Sequence, residues 1–120
     1  MGRLENKVAL ITGTGGGQGR VAALRFAQEG AIVVGCDTNQ EEHAATAALL
    51  ANEGFVLYGE APVDLGDPEQ ARIWVEAAIE RHGGVDILYN NASAARFAPV
   101  HEMSVEDWRF TLRNEVDLLF

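Results

Sequence analysis

The run Thr12-Gly13-Thr14-Gly15-Gly16-Gly17-Gln18-Gly19 is the stretch whose residue types have the clearest chemical use. Glycines set this densely between an apolar run and a helix-forming stretch let backbone N–H groups and a helix N-terminus approach an anion such as a diphosphate. The short pattern GxGxxG is met by Gly17-Gln18-Gly19-Arg20-Val21-Ala22 only with Ala in the last place. The longer TGxxxGxG, from Thr12-Gly13 to Gly17-Gln18-Gly19, is more specific, because strand end, loop length and helix start all fall where it needs them. Asp37 stands eighteen residues past Gly19, near the ~20 at which an acidic side chain meets the adenosine ribose hydroxyls. A carboxylate there repels a 2′-phosphate. Thr38 and Asn39 follow with no Arg or Lys beside them, so the pattern favours NAD(H) over NADP(H).

Other reactive side chains give no second site. His43, His82 and His101 are far apart and lack an i, i+4 partner of ligand type, so no metal is expected. Glu41-Glu42 and Glu106-Asp107 fall in helix first turns, where carboxylates complement the dipole, and Asp67 is better used as a helix cap than as one of a pair with Asp64. Cys36, the one cysteine, has small or apolar neighbours and reads as a buried structural thiol. A net charge of −9 sets the molecular field against a phosphate backbone, so nucleic acid is not an expected partner. The first apolar run is too short for a signal or a membrane span, and a soluble, cytoplasmic protein is expected.

The elements that must carry these residues alternate. With 120 residues, 48% hydrophobic and 22% charged, the chain has the composition of one folded domain. Residues 8–12 form a continuous apolar run, the pattern of a strand buried on both faces of a parallel sheet. A helix over 20–29 closed by Gly30, a second buried strand over 31–36, and a helix opened by Asn39 with Glu42 follow. The apolar face of that second helix reads as Ala44, Ala47, Ala48 and Ala51, with Gly54 stopping it. Residues 55–58 are a weaker strand. Asp67-Pro68-Glu69-Gln70 then opens a helix whose stripe Ala71, Trp74, Val75, Ala78, Ile79 and His82 faces the sheet, with Trp74 as core anchor. A fourth strand over 85–89 precedes a last helix begun by Ser104 and Asp107, with Val105, Trp108, Leu112, Val116 and Leu119 inward and the chain ending inside it. Such alternation means an open, doubly wound parallel α/β sheet with helices on both faces.

These motifs resemble the short-chain dehydrogenases/reductases in a register from Leu4 to the last residue, which makes the fold Rossmann-type and residues 1–120 the NAD-binding, N-terminal portion of one such domain. Gly13, Gly17, Gln18 and Gly19 then belong to the diphosphate turn and Asp37 to the ribose. In Val63-Asp64-Leu65 the resemblance implies an Asp64 side chain and a Leu65 N–H set against the adenine. In Asn90-Asn91-Ala92-Ser93, similar to the family's NNAG, it implies that Asn91 and Ala92 stabilise the central sheet and line the cofactor. Asn114 falls where the family carries the Asn of its Asn-Ser-Tyr-Lys tetrad, a residue holding a water in the proton relay; spacing alone makes it a polar helix residue. Two positions depart from the pattern. Gln18 replaces an apolar residue and would put an amide near the diphosphate or nicotinamide, and Ser93 replaces a glycine.

The family's chemistry passes a hydride between nicotinamide and a carbonyl or carbinol carbon, while a Tyr beside a Lys exchanges the hydroxyl proton. That pair is spaced YxxxK. Tyr58 is followed four residues on by Pro62 and Tyr89 by Ser93, and Lys7, the only lysine, precedes both, so neither the pair nor the catalytic Ser is in this stretch. The expectation is a longer enzyme acting on a small alcohol or carbonyl compound, of which these are the first 120 residues. The resemblance further implies a homodimer or homotetramer through the fourth helix, with Trp108 and Leu112 as core or contact. Arg96 and Phe97, after the fourth strand, read either as a substrate border or as a plain surface loop. The alternatives are a dinucleotide-binding or regulatory module without chemistry, or an interaction protein that keeps the fold and not the ligand.

Overall fold

Residues 2–120 are described by a computed structural model. Four strands, β1 (Val8–Thr12), β2 (Ile32–Cys36), β3 (Leu57–Glu60) and β4 (Ile87–Tyr89), alternate with four helices, α1 (Gly17–Gln28), α2 (Gln40–Asn52), α3 (Pro68–His82) and α4 (Val105–Glu115). The strands are parallel in the order β3-β2-β1-β4, with Val8 opposite Ile32, Val33 opposite Leu57 and Ala9 opposite Ile87. All of β1 and most of β2 are buried, which is why both read as unbroken apolar runs.

Helices cover both faces. On one, Val8, Leu10, Val34 and Cys36 pack with Val63, Trp74 and Ala78; on the other, Ile11 and Val33 pack with Ala23, Ala27 and Leu50. Trp74 anchors α3 as expected: it is 3% exposed and its indole N–H donates to the carbonyl of Gly35 at 3.0 Å. The three expected caps are all made. Asn39, Asp67 and Ser104 accept from the N–H groups of Glu42, Glu69 and Asp107.

The structure departs from the sequence reading in several places, beginning with Ile79 of the α3 stripe, which is 45% exposed rather than turned onto the sheet. Helix α1 starts at Gly17 rather than Arg20, so the glycine motif supplies its first turn, and β3 lies at 57–60, two residues later than expected. Strand β4 is shortened to 87–89 because Asp86 turns its carboxylate onto the Val8 N–H at 2.8 Å. On α2 the alanines Ala44, Ala48 and Ala51 are exposed; His43 and Thr46 face inward because the glycine turn they cover offers hydrogen-bonding groups, and Leu50 because it packs on Ile11 and Val33. Helix α4 ends at Glu115 and is followed by a 3-10 turn, Asp117–Leu119. None of its residues is buried, and Val105 and Trp108 are 63% and 55% exposed, since no described element lies over that stripe.

Candidate functional site

The glycine turn leaves β1 at Thr12 and is held by groups from three other segments. The Gly13 and Thr14 N–H groups both donate to the Cys36 carbonyl, at 2.9 and 3.2 Å, which pins the turn to the end of β2. From β4, the Asn91 side-chain amide donates to the carbonyls of Thr12 and Gly13 at 3.1 and 3.2 Å. Thr12 Oγ1 accepts from the N–H groups of Asn91 and Ala92, both at 2.9 Å. Two glycines here have no substitute. A Cβ on Gly19 would lie 1.9 Å from the Gly13 oxygen, and one on Gly13, whose φ is +71°, would lie 2.9 Å from the Ala92 Cα.

Gly16 and Gly17 differ in clearance: a Cβ on either would meet nothing within 4 Å, although Gly17, with φ at +52°, still needs glycine's backbone freedom. They border open space at the start of α1. That helix also differs from the other three among the described residues, because no side chain caps it and its first turn holds no acidic residue. Its N-terminal donors and dipole are therefore left to an external acceptor, as a diphosphate cradle requires. Gln18 is exposed in that first turn.

A third set of contacts comes from α2 and was not legible in the motif. Thr14 Oγ1 is 3.0 Å from His43 Nδ1, both residues being buried, and Thr46 Oγ1 donates to the Thr14 carbonyl at 2.7 Å. Arg20 Nε donates to Thr46 Oγ1 at 3.0 Å, while its Nη2 reaches the Gly15 carbonyl and Glu42 Oε2. Burial pushes the His43 pKa down, partly opposed by the Asp37 charge, so the ring is neutral at pH 7. Cys36 is pushed up to about 12, chiefly by burial, and is chemically quiet.

A cleft of about 290 Å³ opens where β1, β2 and β4 end. Gly13 and Gly16 from the first turn, Asp37 and Thr38 from the second, Asp64 and Leu65 from the third, Asn91, Ala92 and Ser93 from the fourth, and Asn114 from α4 all line it. Gly17, Gln18 and Gly19 stand beside it as the first turn of α1. Asp37 accepts from the Gly15 N–H through Oδ2 and from the Asn39 N–H through Oδ1, each at 2.8 Å. A carboxylate has about four acceptor positions, so two bonds leave it able to take a diol.

Asp64 is set by α4. Arg113 Nη2 donates to its Oδ2 at 2.7 Å, the Gly66 N–H donates to its Oδ1, and the Arg113 bond, ahead of the opposing desolvation, holds the carboxyl below the usual range. Gly66 makes room for the guanidinium, since a Cβ there would lie 2.5 Å from its central carbon. Asn114, one residue on, donates its amide to the Phe110 carbonyl at 2.8 Å. In the loop after β4, Arg96 is drawn onto α4, 2.8 Å from Asp107 Oδ1 and 4.1 Å above the Phe110 ring, whereas Phe97 is exposed.

Comparison with known proteins accords with this arrangement. The family model described as short chain dehydrogenase matches residues 7–116. D-threitol dehydrogenase of Mycolicibacterium smegmatis is 38% identical over 110 residues, which are 92% of this chain and 42% of that protein. A 3-oxoacyl-acyl-carrier-protein reductase of Thermotoga maritima is 38% identical over 109 residues, 88% of this chain and 43% of that one. The crystal structure of a short chain dehydrogenase from Burkholderia cenocepacia J2315 in complex with NADP superposes with a TM-score of 0.87 at 32% identity, covering 98% of this chain and 48% of the other. The chain thus spans less than half the length of these relatives.

Proposed function

The chain belongs to the short chain dehydrogenase family, and from that premise we propose that residues 1–120 form the cofactor-binding portion of an NAD(H)-dependent oxidoreductase domain. The observation that carries the reading is the convergence of Gly13, Gly16, Asp37, Asp64, Asn91 and Ala92, from four successive β-to-α connections, on one cleft beside an uncapped helix N-terminus. Such a cleft, at the carboxyl ends of parallel strands, is where open α/β sheets take their ligands.

The residues present fit a dinucleotide. Free donors at Gly17, Gln18 and Gly19 suit the diphosphate, the Asp37 carboxylate suits the ribose diol, and Asp64 with the Leu65 N–H suits the adenine edge. Asn91 holds β1 and β4 in register and keeps the Gly13 turn open. When bound, the cofactor supplies a hydride acceptor or donor. A relative of known structure is in complex with NADP; here Asp37, with no basic residue at 38 or 39, favours NAD(H).

The substrate we propose is a small alcohol or its ketone. D-threitol dehydrogenase and the 3-oxoacyl reductase are named for chemistry at such a carbon. Asn114 lines the cleft near Ser93 and Leu118 and is assigned to the proton relay. A cytoplasmic location and assembly as a dimer or tetramer complete the reading.

The test is titration of purified protein of verified intact mass with NADH and NADPH, followed by fluorescence energy transfer from tryptophan. Preferential binding of NADH supports the reading; binding of neither by folded protein overturns it.

A further inference from the structure

Asp37, which lines the cleft, is not the only acidic group beside the glycine turn. The buried Gly15 peptide lies next to it: the N–H donates to Asp37 Oδ2 at 2.8 Å, and the carbonyl accepts from Arg20 Nη2. A Cβ on Gly15 would lie 2.7 Å from that Asp37 oxygen and 2.9 Å from the Glu42 Cβ, so the two acidic residues flank one peptide. Glu42 Oε2 in turn takes Arg20 Nη2 at 2.8 Å. Arg20 is thereby held against a backbone carbonyl and neutralised. It is the one arginine or lysine that the hydrogen bonds among the described residues bring to this turn.

Helix α2 begins at the same place. Its N-terminus would attract a phosphate, but Asn39 caps it and Glu41 and Glu42 occupy its first turn. A 2′-phosphate beside Asp37 would therefore meet that carboxylate and a cation already engaged by Glu42.

We infer that Glu42 is a second determinant of cofactor specificity, acting with Asp37 to exclude a 2′-phosphorylated dinucleotide by pairing with Arg20 on the Gly15 peptide. The inference rests on the cleft binding a dinucleotide as proposed above. Glu42 needs no contact with the cofactor, because it acts by neutralising Arg20 and fixing its conformation on the Gly15 peptide. Removing it leaves Arg20 with its bonds to Gly15 and Thr46 and an uncompensated positive charge within reach of the ribose. The Glu42 side chain is 55% exposed, so replacing it does not open the core.

The experiment is isothermal titration of the intact protein with NAD+ and NADP+ at low ionic strength, for wild type, Glu42→Gln and Glu42→Ala, and for each combined with Arg20→Gln. Expected is a shift of the NADP+/NAD+ affinity ratio by about 10-fold toward NADP+ in the single variants, the order of one unscreened charge at this range. The shift should shrink in 0.5 M salt and vanish when Arg20 is also replaced. A ratio unchanged in both Glu42 variants, with NAD+ still bound, overturns the role of Glu42 alone. A shift that survives loss of Arg20 overturns the pairing. Wild-type protein that binds neither dinucleotide removes the cofactor reading and this inference together.

Discussion

Backbone clearance around single atoms decides whether the cleft exists. Gly19→Ala would place a Cβ 1.9 Å from the Gly13 carbonyl oxygen and 2.7 Å from Asn91 Nδ2, so either the turn or the β4 suture must move. Expected is loss of dinucleotide binding by at least about 10-fold, equivalent to ~1.4 kcal/mol, with a lower melting temperature; an Ala variant with unchanged affinity would contradict the packing. His43 gives a pH effect whose sign follows from burial. Its pKa is lowered in the folded protein from the ordinary 6.5, so the unfolded chain binds the proton more readily. The stability it contributes is complete above about pH 6.5 and is lost as the pH falls toward the folded pKa. His82, lowered by burial and by Arg81, acts in the same direction. Melting temperature measured from pH 7.5 to 5 should therefore decline, and His43→Asn, which keeps a non-titrating partner at similar reach of Thr14, should flatten the decline. At this scale the cleft residues named from the motifs were legible because a glycine, an Asp or an Asn is rare at such spacings. The Arg113–Asp64 bond was not, because it joins residues far apart in the chain whose types are ordinary on any surface.

Helix boundaries were readable where a cap marks them: Asn39, Asp67 and Ser104 each make the expected bond. The orientation of α2 was not readable, and the reason is physical. Its alanines are small and numerous enough to draw a stripe in any register, while the true inward face carries Thr46 and His43 against the turn's own polar groups. Buried hydrogen-bonding surface has no hydropathy signature. The assignment of faces makes a paired prediction. Thr46→Val removes the hydroxyl that serves the Thr14 carbonyl and Arg20 Nε, and should cost about 1–3 kcal/mol by leaving a buried acceptor unpaired. Ala44→Ser, on the exposed face, should stay within about 0.5 kcal/mol. Chemical denaturation of the two variants checks the order, and the reverse order would restore the alanine face. Similar reasoning applies to Trp74→Phe on α3. It strands the Gly35 carbonyl and leaves a void, so a loss of about 2–4 kcal/mol is expected.

At the scale of the whole molecule the inward stripe expected of α4 becomes an argument about assembly. The molecule is 53 × 26 × 25 Å. Helix α4 is joined to the body by Arg113 on Asp64 and by Arg96 on Asp107, both polar and partly exposed, rather than by a buried seam. Its stripe is nonetheless apolar at helical spacing, with Val105, Trp108 and Val116 all more than half exposed, and Leu88 on the edge strand β4 is 54% exposed as well. An apolar stripe on a helix with three secure turns and a good cap is stable only when something covers it, since each large side chain left in water forgoes about 1.5–3 kcal/mol of burial. The periodicity found an apolar stripe but wrongly turned it inward, because hydropathy marks a face that seeks cover and not whether the described residues supply it. Under the assembly proposed above, a second copy of the protein covers it. Sedimentation velocity should therefore show a dimer or larger at micromolar concentration. Replacing Trp108 and Leu112 together by Glu should reduce it to the mass of one chain while the Trp74 core keeps its melting transition, because the two helices share no buried contact in the cores around Val34 and Val33. An unmodified protein that sediments as a monomer would overturn the assembly.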